Sequence, residues 1–141
     1  MKVIDASGLI LGRMATRVAK LALAGEKIKI VNCEKAVISG KQNMILAKWR
    51  ERKHRTDPFK GPFISILPDR IVRRAIYGML PHKRKTEKSR GILAFKNVMC
   101  YISVPDDLKN QKFETIPGTE SDRLRFEYIT VGRLAQLLRT R

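Results

Sequence analysis

The sequence predicts an α/β fold with a small parallel sheet and helices packed against both of its faces. Short apolar runs that are typical of strands alternate along the chain with stretches of helical period. The first strand, helix and strand occupy about 30 residues, the length of a βαβ unit with parallel strands and a right-handed crossover. The 141 residues, 43% of them apolar, are enough for one core, and no repeat or linker divides them. We therefore expect a single domain over residues 1–141.

The N-terminal third provides the first strands and helices. A strand over VIDASG leads into a helix over LILGRMATRVAKLALAG, which Gly25 is expected to end. KIKIVN predicts the second strand and AVIS a shorter extended segment, and a second helix starts at Ser39 and Gly40 and runs through KQNMILAKWRERKH. The first helix is predicted from apolar residues at helical spacing, namely Leu11, Met14, Ala15, Val18, Leu21 and Ala22.

Prolines punctuate the middle of the chain. The stretch RTDPFKGPFISILPD contains three prolines and a glycine, which predicts a loop with room for a short strand at FISIL. Pro68 suits the first turn of a helix and Asp69 complements its N-terminus, so a helix is expected over residues 69–80. Pro81 disfavours helical geometry at the residue before it and ends that helix. A short helix through TEKSRGILAFK, starting at Thr86, and a buried strand at NVMCYISV follow.

The C-terminal third predicts one irregular segment and one helix. Residues 105–127 contain proline, glycine and acidic residues without a regular apolar period. Thr130 is a favourable N-cap for a helix over VGRLAQLLR. The apolar residues of that helix share one face, namely Val131, Leu134, Ala135 and Leu138.

The net charge is the unusual property of the composition. Thirty Lys and Arg oppose thirteen Asp and Glu, which gives +17 at pH 7. Such an excess repels itself in a compact state, so it indicates a polyanionic partner, most often a nucleic acid. Sixteen of the basic residues, against four acidic ones, fall in residues 41–100, among core-forming segments rather than in a tail.

The sequence disfavours several kinds of site and location. Cys33 and Cys100 lie 67 residues apart without companions at metal-ligand spacing, so two buried, reduced thiols are favoured over a zinc site, with a disulfide left open. Met1 leads directly into a strand, which leaves no room for a signal peptide, and no apolar run reaches the ~20 residues of a membrane helix. We expect a cytoplasmic protein with no metal, no cofactor and no membrane partner.

The helix expected over residues 69–80 carries the clearest candidate site. Arg70, Arg73, Arg74 and Tyr77 are spaced at i, i+3, i+4 and i+7, opposite the apolar stripe. One interpretation is a solvated basic face, but such faces usually mix charges of both signs. The functional interpretation is a ridge that contacts phosphates, with Tyr77 stacking on a base or sugar.

Two further helices carry basic residues. On the first helix Arg13 and Arg17 lie opposite the apolar stripe, together with Lys20.

The second predicted helix contains Trp49, which lies four residues after Ile45 and is expected in the core. His54 and His82 have basic neighbours that favour the neutral imidazole. The block around Trp49 contributes the candidate RNA ligands Lys48, Arg50, Arg52, Lys53, His54, Arg55 and Lys60.

The remaining choice is between a binding protein and an enzyme. Gly8 and Gly12 lie in a strand-to-helix turn, but their spacing matches neither a dinucleotide-binding loop nor a P-loop. Charge spread over helices and loops, without a zinc finger or helix-turn-helix signature, favours shape and backbone recognition of folded RNA. An RNA-acting enzyme and a free regulatory protein that binds messenger RNA remain the alternatives.

Three segments resemble one known family. They are VIDASGLILGRMAT at residues 3–16, VNCEKAVISG at 31–40 and IVRRAIYGMLPHK at 71–83. Together they resemble large-subunit ribosomal protein thirteen in its archaeal and eukaryotic form. The resemblance implies a three-layer α/β/α fold with a small, largely parallel four-stranded sheet. It also implies binding to large-subunit ribosomal RNA beside neighbouring ribosomal proteins, a role in subunit assembly, and no catalysis, small-molecule substrate or obligate homo-oligomer.

The resemblance also carries over individual residues. Arg73 and Arg74 precede the Gly-Met-Leu-Pro motif of the family, and basic residues follow it. The positions matched in and after the motif are Gly78, Met79, Leu80, Pro81, His82 and Lys83. On charge alone the same basic segment adds Arg84, Lys85, Lys88 and Arg90.

Overall fold

The computed structural model describes residues 1–55, 57, 59–81 and 89–139. Within them the chain alternates between short strands and helices, with 3-10 turns at Cys33–Lys35, Asp106–Leu108 and Ser121–Arg123. The strands and helices are β1 Lys2–Asp5, α1 Leu11–Leu23, β2 Ile28–Val31, β3 Val37–Ser39, α2 Gln42–His54, α3 Pro68–Met79, α4 Arg90–Lys96, β4 Val98–Cys100, β5 Phe113–Glu114, β6 Tyr128–Thr130 and α5 Val131–Arg139.

The main sheet is parallel and has four strands. Its strand order is β4-β2-β1-β5, and Ile30 on the central strand β2 pairs with Ile4 of β1 and with Cys100 of β4. This confirms the predicted α/β class with its βαβ unit, β1-α1-β2. The short strand β3 pairs instead with β6 in a separate antiparallel sheet, with Val37 opposite Thr130.

Alternate residues of the central strands fill two layers of core. Ile4 and Ile30 face the buried side of α1, α3 and α4, which carry Val18 and Ile76 among others. On the other face, Val3 and Val31 pack with Leu108, Tyr101 and Val104. The loop and 3-10 turn after β4 therefore supply the second outer layer of the sheet.

Local sequence signals set the ends of three helices as predicted. Gly25 has φ +94°, and its N–H and that of Glu26 donate to Ala22 and Leu21, the pattern of a glycine cap. Helix α3 begins at Pro68 and ends at Met79, and Leu80 is extended because Pro81 follows it. The Thr130 Oγ1 accepts a hydrogen bond from the Arg133 amide at 3.2 Å, which confirms the N-cap of α5.

Other elements differ from the sequence predictions. The FISIL segment forms no strand, and β5 lies inside the stretch expected to be irregular. The strand β4 is an edge of the sheet with Met99 exposed, so it is not a buried strand. Helix α4 begins at Arg90, while Thr86, its expected start, lies outside the described residues. A two-residue strand is too short for any periodicity, which explains why β5 was missed.

Helix α2 lies against the small sheet and α5 rather than in the main core. None of its residues is buried; Ile45, Leu46 and Trp49 are half-buried and pack against Leu134 and Ile129. The expected core role of Trp49 is confirmed in this partial form. Because most of its surface remains exposed, α2 presents its basic residues outward.

The two cysteines are free thiols. A hydrogen bond to Cys100 and burial raise the pKa of the Cys33 thiol, which keeps it protonated. This agrees with the favoured prediction of reduced thiols, but only Cys33 is buried as expected, and Cys100 is half-buried on the edge strand β4. Within the described residues, no helix is long and apolar enough to cross a membrane.

Candidate nucleic-acid interface

The exposed face of α3 carries two of the three arginines that the sequence placed there. Arg70 and Arg74 are exposed, while Ile71, Val72 and Ile76 of the same helix are buried. Helical periodicity therefore predicted correctly the exposure of Arg70 and Arg74 and the burial of the apolar stripe. An early acidic residue, Asp69, complements the helix N-terminus.

Phe95 of α4 completes this surface, and sequence reasoning missed it. Its ring centroid lies 4.8 Å from that of Tyr77, in an edge-to-face arrangement at 62°. The Arg73 guanidinium carbon lies 4.5 Å from the centroid of the Phe95 ring, a cation–π distance. No local pattern links α4 to α3, so only the tertiary packing could reveal this contact.

The sequence predicts that Arg73 shares the outer face of α3 with Arg74, and this prediction is wrong for Arg73. Arg73 is half-buried because α4 packs beside α3 and offers the Phe95 ring to its guanidinium. Its Nε is buried and has no hydrogen-bond partner within the described part of the chain. Arg73 thus has a packing role as well as a charge.

A surface cavity of about 380 Å³ lies between α3 and α4. Among the described residues, its lining combines three cations with two aromatic rings. Ion pairs in the described ranges are Lys2–Glu26, Arg55–Glu51 and Lys109–Asp106, so none involves this cavity. The residues that line it are Arg70, Arg73, Arg74, Tyr77 and Phe95, called here the α3–α4 cavity.

The basic residues of α1 adjoin the C-terminal end of α3. Arg13 and Arg17 are exposed and border a depression of about 210 Å³ together with Thr16. The Thr16 Oγ1 lies 3.2 Å from the Met79 Sδ of α3 and also donates to the Gly12 carbonyl at 3.0 Å. Because Met79 belongs to the apolar stripe of α3, this contact joins α1 to the end of α3 on the side away from Arg70 and Arg74.

The Gly-Met-Leu-Pro motif divides between surface and core. Gly78 and Pro81 are exposed, and Leu80 is buried in the main core. Met79, which periodicity assigns to the apolar stripe, is 42% exposed because it lies at the edge of the α1–α3 contact. Arg90 is exposed at the start of α4. The remaining candidates of this segment, His82, Lys83, Arg84, Lys85 and Lys88, lie outside the described residues.

Helix α2 meets the α3 face across a cleft of about 310 Å³. Arg52 of α2 and Arg74 of α3 both line it, with Trp49 and Gly78. The Arg52 guanidinium carbon lies 5.7 Å from the Trp49 ring centroid, within cation–π range. Lys48, Arg50, His54 and Lys60 are exposed nearby in the chain.

Two candidate RNA ligands at the C-terminal end of α2 have partners within the protein. The Lys53 Nζ donates to the Leu138 carbonyl at 3.3 Å, near the C-terminus of α5. Arg55 forms an ion pair with Glu51 one turn earlier. A carbonyl at a helix C-terminus favours a cation, so Lys53 stabilises the junction of α2 and α5.

The turn between β1 and α1 is occupied by internal hydrogen bonds. The amides of Gly8, Leu9 and Ile10 donate to the carbonyls of Lys35, Ala6 and Thr119. A nucleotide-binding loop needs such amides free to hold phosphates. This geometry disfavours the enzyme alternative, which rested on this turn.

Comparison with known proteins identifies the family. A family model described as ribosomal protein L13 matches residues 1–105, which include α1, α2, α3 and α4. The chain belongs to this family. Its membership confirms the resemblance seen in the sequence, and the L13 family is one of ribosomal proteins rather than enzymes.

Archaeal relatives extend the L13 similarity over nearly the whole chain. The large ribosomal subunit protein uL13 of Methanopyrus kandleri is 43% identical over 139 residues, 96% of this chain and 85% of the relative. The uL13 of Methanosarcina barkeri is 45% identical, covering 96% of both chains. That of Thermoplasma acidophilum is 41% identical, covering 98% of both.

Proposed function

We propose that this L13-family protein binds large-subunit ribosomal RNA through the basic faces of α1, α2 and α3 and supports assembly of the subunit in the cytoplasm. One observation carries the proposal. The α3–α4 cavity joins three arginines to two aromatic rings on an exposed helix face, and no ion pair in the described ranges neutralises those arginines. The names of the relatives supply the ribosomal context.

Electrostatics support a polyanionic partner. Arg70, Arg73 and Arg74 lie within two turns of one helix, where like charges repel by a few tenths of a kcal/mol per pair. Phosphates would relieve that repulsion and release counterions on binding. With a net charge of +17, the protein has a large electrostatic contribution to association with RNA.

The geometry favours folded RNA over the major groove of a duplex. Arg52 of α2 and Arg74 of α3 line one cleft, and Arg13 and Arg17 of α1 border a separate exposed depression. The resulting surface is broad and contains aromatic rings, features suited to backbone contacts and unstacked bases. We assign direct phosphate contacts to Arg13, Arg17, Arg52, Arg70 and Arg74 and a supporting role to Lys53 and Arg55.

The proposal is tested by the salt dependence of RNA binding. The full chain is titrated with a fragment of its own large-subunit ribosomal RNA at several salt concentrations. Replacing Arg70 and Arg74 by Gln removes two phosphate contacts and is expected to lower the slope of log affinity against log salt by about 2. Lys112→Gln is the control. Lys112 is exposed in the segment after the Asp106–Leu108 turn, which packs on the face of the sheet opposite α3. An unchanged slope in the double variant would contradict the proposed surface.

A further inference from the structure

We propose that the α3–α4 cavity holds a single unpaired nucleotide of the bound RNA, with its base against the aromatic rings and its phosphate between Arg70 and Arg74. The inference rests on the proposed function and deepens it. It assigns one site to a splayed-out base, where the proposed function requires only contacts to the RNA backbone.

The aromatic half of the cavity argues for a base. Phosphate recognition needs charged or N–H donors and has no use for carbon-rich rings. Here Tyr77 and Phe95 pack edge to face at 4.8 Å, so their relative orientation is fixed before any ligand binds. Tyr77 remains 37% exposed, which leaves part of its surface open to a partner. Bases stack on such rings in proteins that recognise single-stranded RNA.

The cationic half places a planar guanidinium beside those rings. Arg73 is held over Phe95 at 4.5 Å, and its buried Nε lacks a hydrogen-bond partner among the residues described. A guanidinium plane held in this way can stack on a base or donate to its edge. Arg70 and Arg74 are exposed on the same helix and are free of ion pairs in the described ranges, so they suit the phosphate.

The dimensions fit one nucleotide. The cavity volume of about 380 Å³ lies near the lower end of the ~300–1,000 Å³ that is typical of small-ligand pockets. Since the cavity is shallow and lies between two helices, a duplex could touch its rim while only an unstacked base could fill it. Burying one base here would fix the register of the RNA on the surface.

The test compares ligands with and without a base. The full chain, labelled for nuclear magnetic resonance, is titrated with adenosine, guanosine, cytidine and uridine 5′-monophosphates and with ribose 5-phosphate. Stacking of a base contributes about 1–3 kcal/mol, so at least one nucleotide is expected to bind about fivefold or more tightly than ribose 5-phosphate. Shifts are expected at Tyr77, Phe95 and Arg73.

Variants separate stacking from charge. Tyr77→Leu is expected to abolish the preference for nucleotides over ribose 5-phosphate, and Tyr77→Phe is expected to retain it. Arg70→Gln should lower the affinity for the nucleotides and for ribose 5-phosphate alike. Tyr77 is partly exposed, so its replacement leaves the core intact, and circular dichroism verifies that each variant is folded. Equal affinity for all five ligands, or shifts located elsewhere, would overturn the nucleotide site. The proposed ribosomal RNA binding would survive that result, because the salt-slope experiment measures it separately.

Discussion

Arg73 and Arg74 are neighbours in the sequence with different surroundings in the fold. Arg74 is exposed, whereas Arg73 is half-buried against Phe95. The sequence could predict that both carry charge on the same side of α3. It could not predict the ring beneath Arg73, because that ring comes from another helix and its position depends on tertiary packing.

This difference predicts unequal effects of the same substitution. Arg73→Glu removes a cation–π contact and places a carboxylate near the Phe95 ring. We therefore expect the free energy of unfolding to fall by about 1–2 kcal/mol and the melting temperature to fall by a few degrees. Arg74→Glu should leave the melting temperature within one degree or so of the unmodified protein. Both should weaken RNA binding. Equal melting temperatures for the two variants would show that the Arg73–Phe95 contact contributes nothing to stability.

Asp5 provides a second prediction at the level of single residues. Its Oδ1 accepts hydrogen bonds from the Ser7 amide at 3.0 Å, the Ser7 hydroxyl at 2.7 Å and the Asn32 Nδ2 at 3.0 Å. Burial raises the pKa of Asp5, but these hydrogen bonds and the nearby Lys35 outweigh it and hold the pKa below its usual range. The turns after β1 and β2 are therefore tied together by a charged carboxylate.

A lowered folded-state pKa fixes the direction of the pH effect. The stabilisation from Asp5 is complete above the unfolded-state pKa of about 4 and is lost as pH falls through the folded-state pKa. Asp5→Asn should lower the free energy of unfolding by about 1 kcal/mol at neutral pH. Below pH ~4, the stability of this variant should fall less steeply than that of the unmodified protein. Denaturant unfolding at several pH values measures both, with Asp107→Asn as an exposed control. A pH dependence identical to that of the unmodified chain would contradict this role of Asp5.

The ends of three helices and the β1-α1-β2 unit were predictable from the sequence, whereas the pairings of β3 and β5 were not. Pro68, Pro81 and Thr130 act on the residues beside them, so they place the ends of α3 and the start of α5 from local sequence. The pairing of β3 with β6, and of β5 with β1, joins segments about 90 or more residues apart, and such long-range pairing leaves no local signal. The same reason explains why α4 and its Phe95 were not connected to α3.

The basic residues of helix α2 have two different roles, one in stabilising the fold and one in the proposed RNA binding. Lys53 donates to the Leu138 carbonyl at 3.3 Å, whereas Lys48 is exposed. Lys53→Met should lower stability by about 0.5–1.5 kcal/mol, because it removes a charged hydrogen bond near the end of α5. Lys48→Met should leave stability unchanged and weaken RNA binding by more than Lys53→Met does. Thermal unfolding and RNA titration of both variants, measured side by side, check this; reversed effects would show that α2 is oriented differently.

At the scale of the whole molecule, the fold gathers basic residues that are far apart in the sequence. Arg52 of α2 and Arg74 of α3 line the same cleft, although 22 positions separate them in the sequence, and Arg13 and Arg17 of α1 border a second depression. The sequence indicated most of these residues, because each occupies the polar face of its own helix. It did not indicate which of these residues share a cleft, nor that Lys53 and Arg55 are already engaged within the protein.

The most direct test of this surface is the structure of the large ribosomal subunit that contains this chain, determined by cryo-electron microscopy. We expect ribosomal RNA phosphates within hydrogen-bonding distance of Arg70 and Arg74, and RNA along the adjoining faces of α1 and α2. A subunit in which the exposed face of α3 is turned to solvent, or is covered by another protein with no RNA within reach of Arg70 and Arg74, would contradict the account.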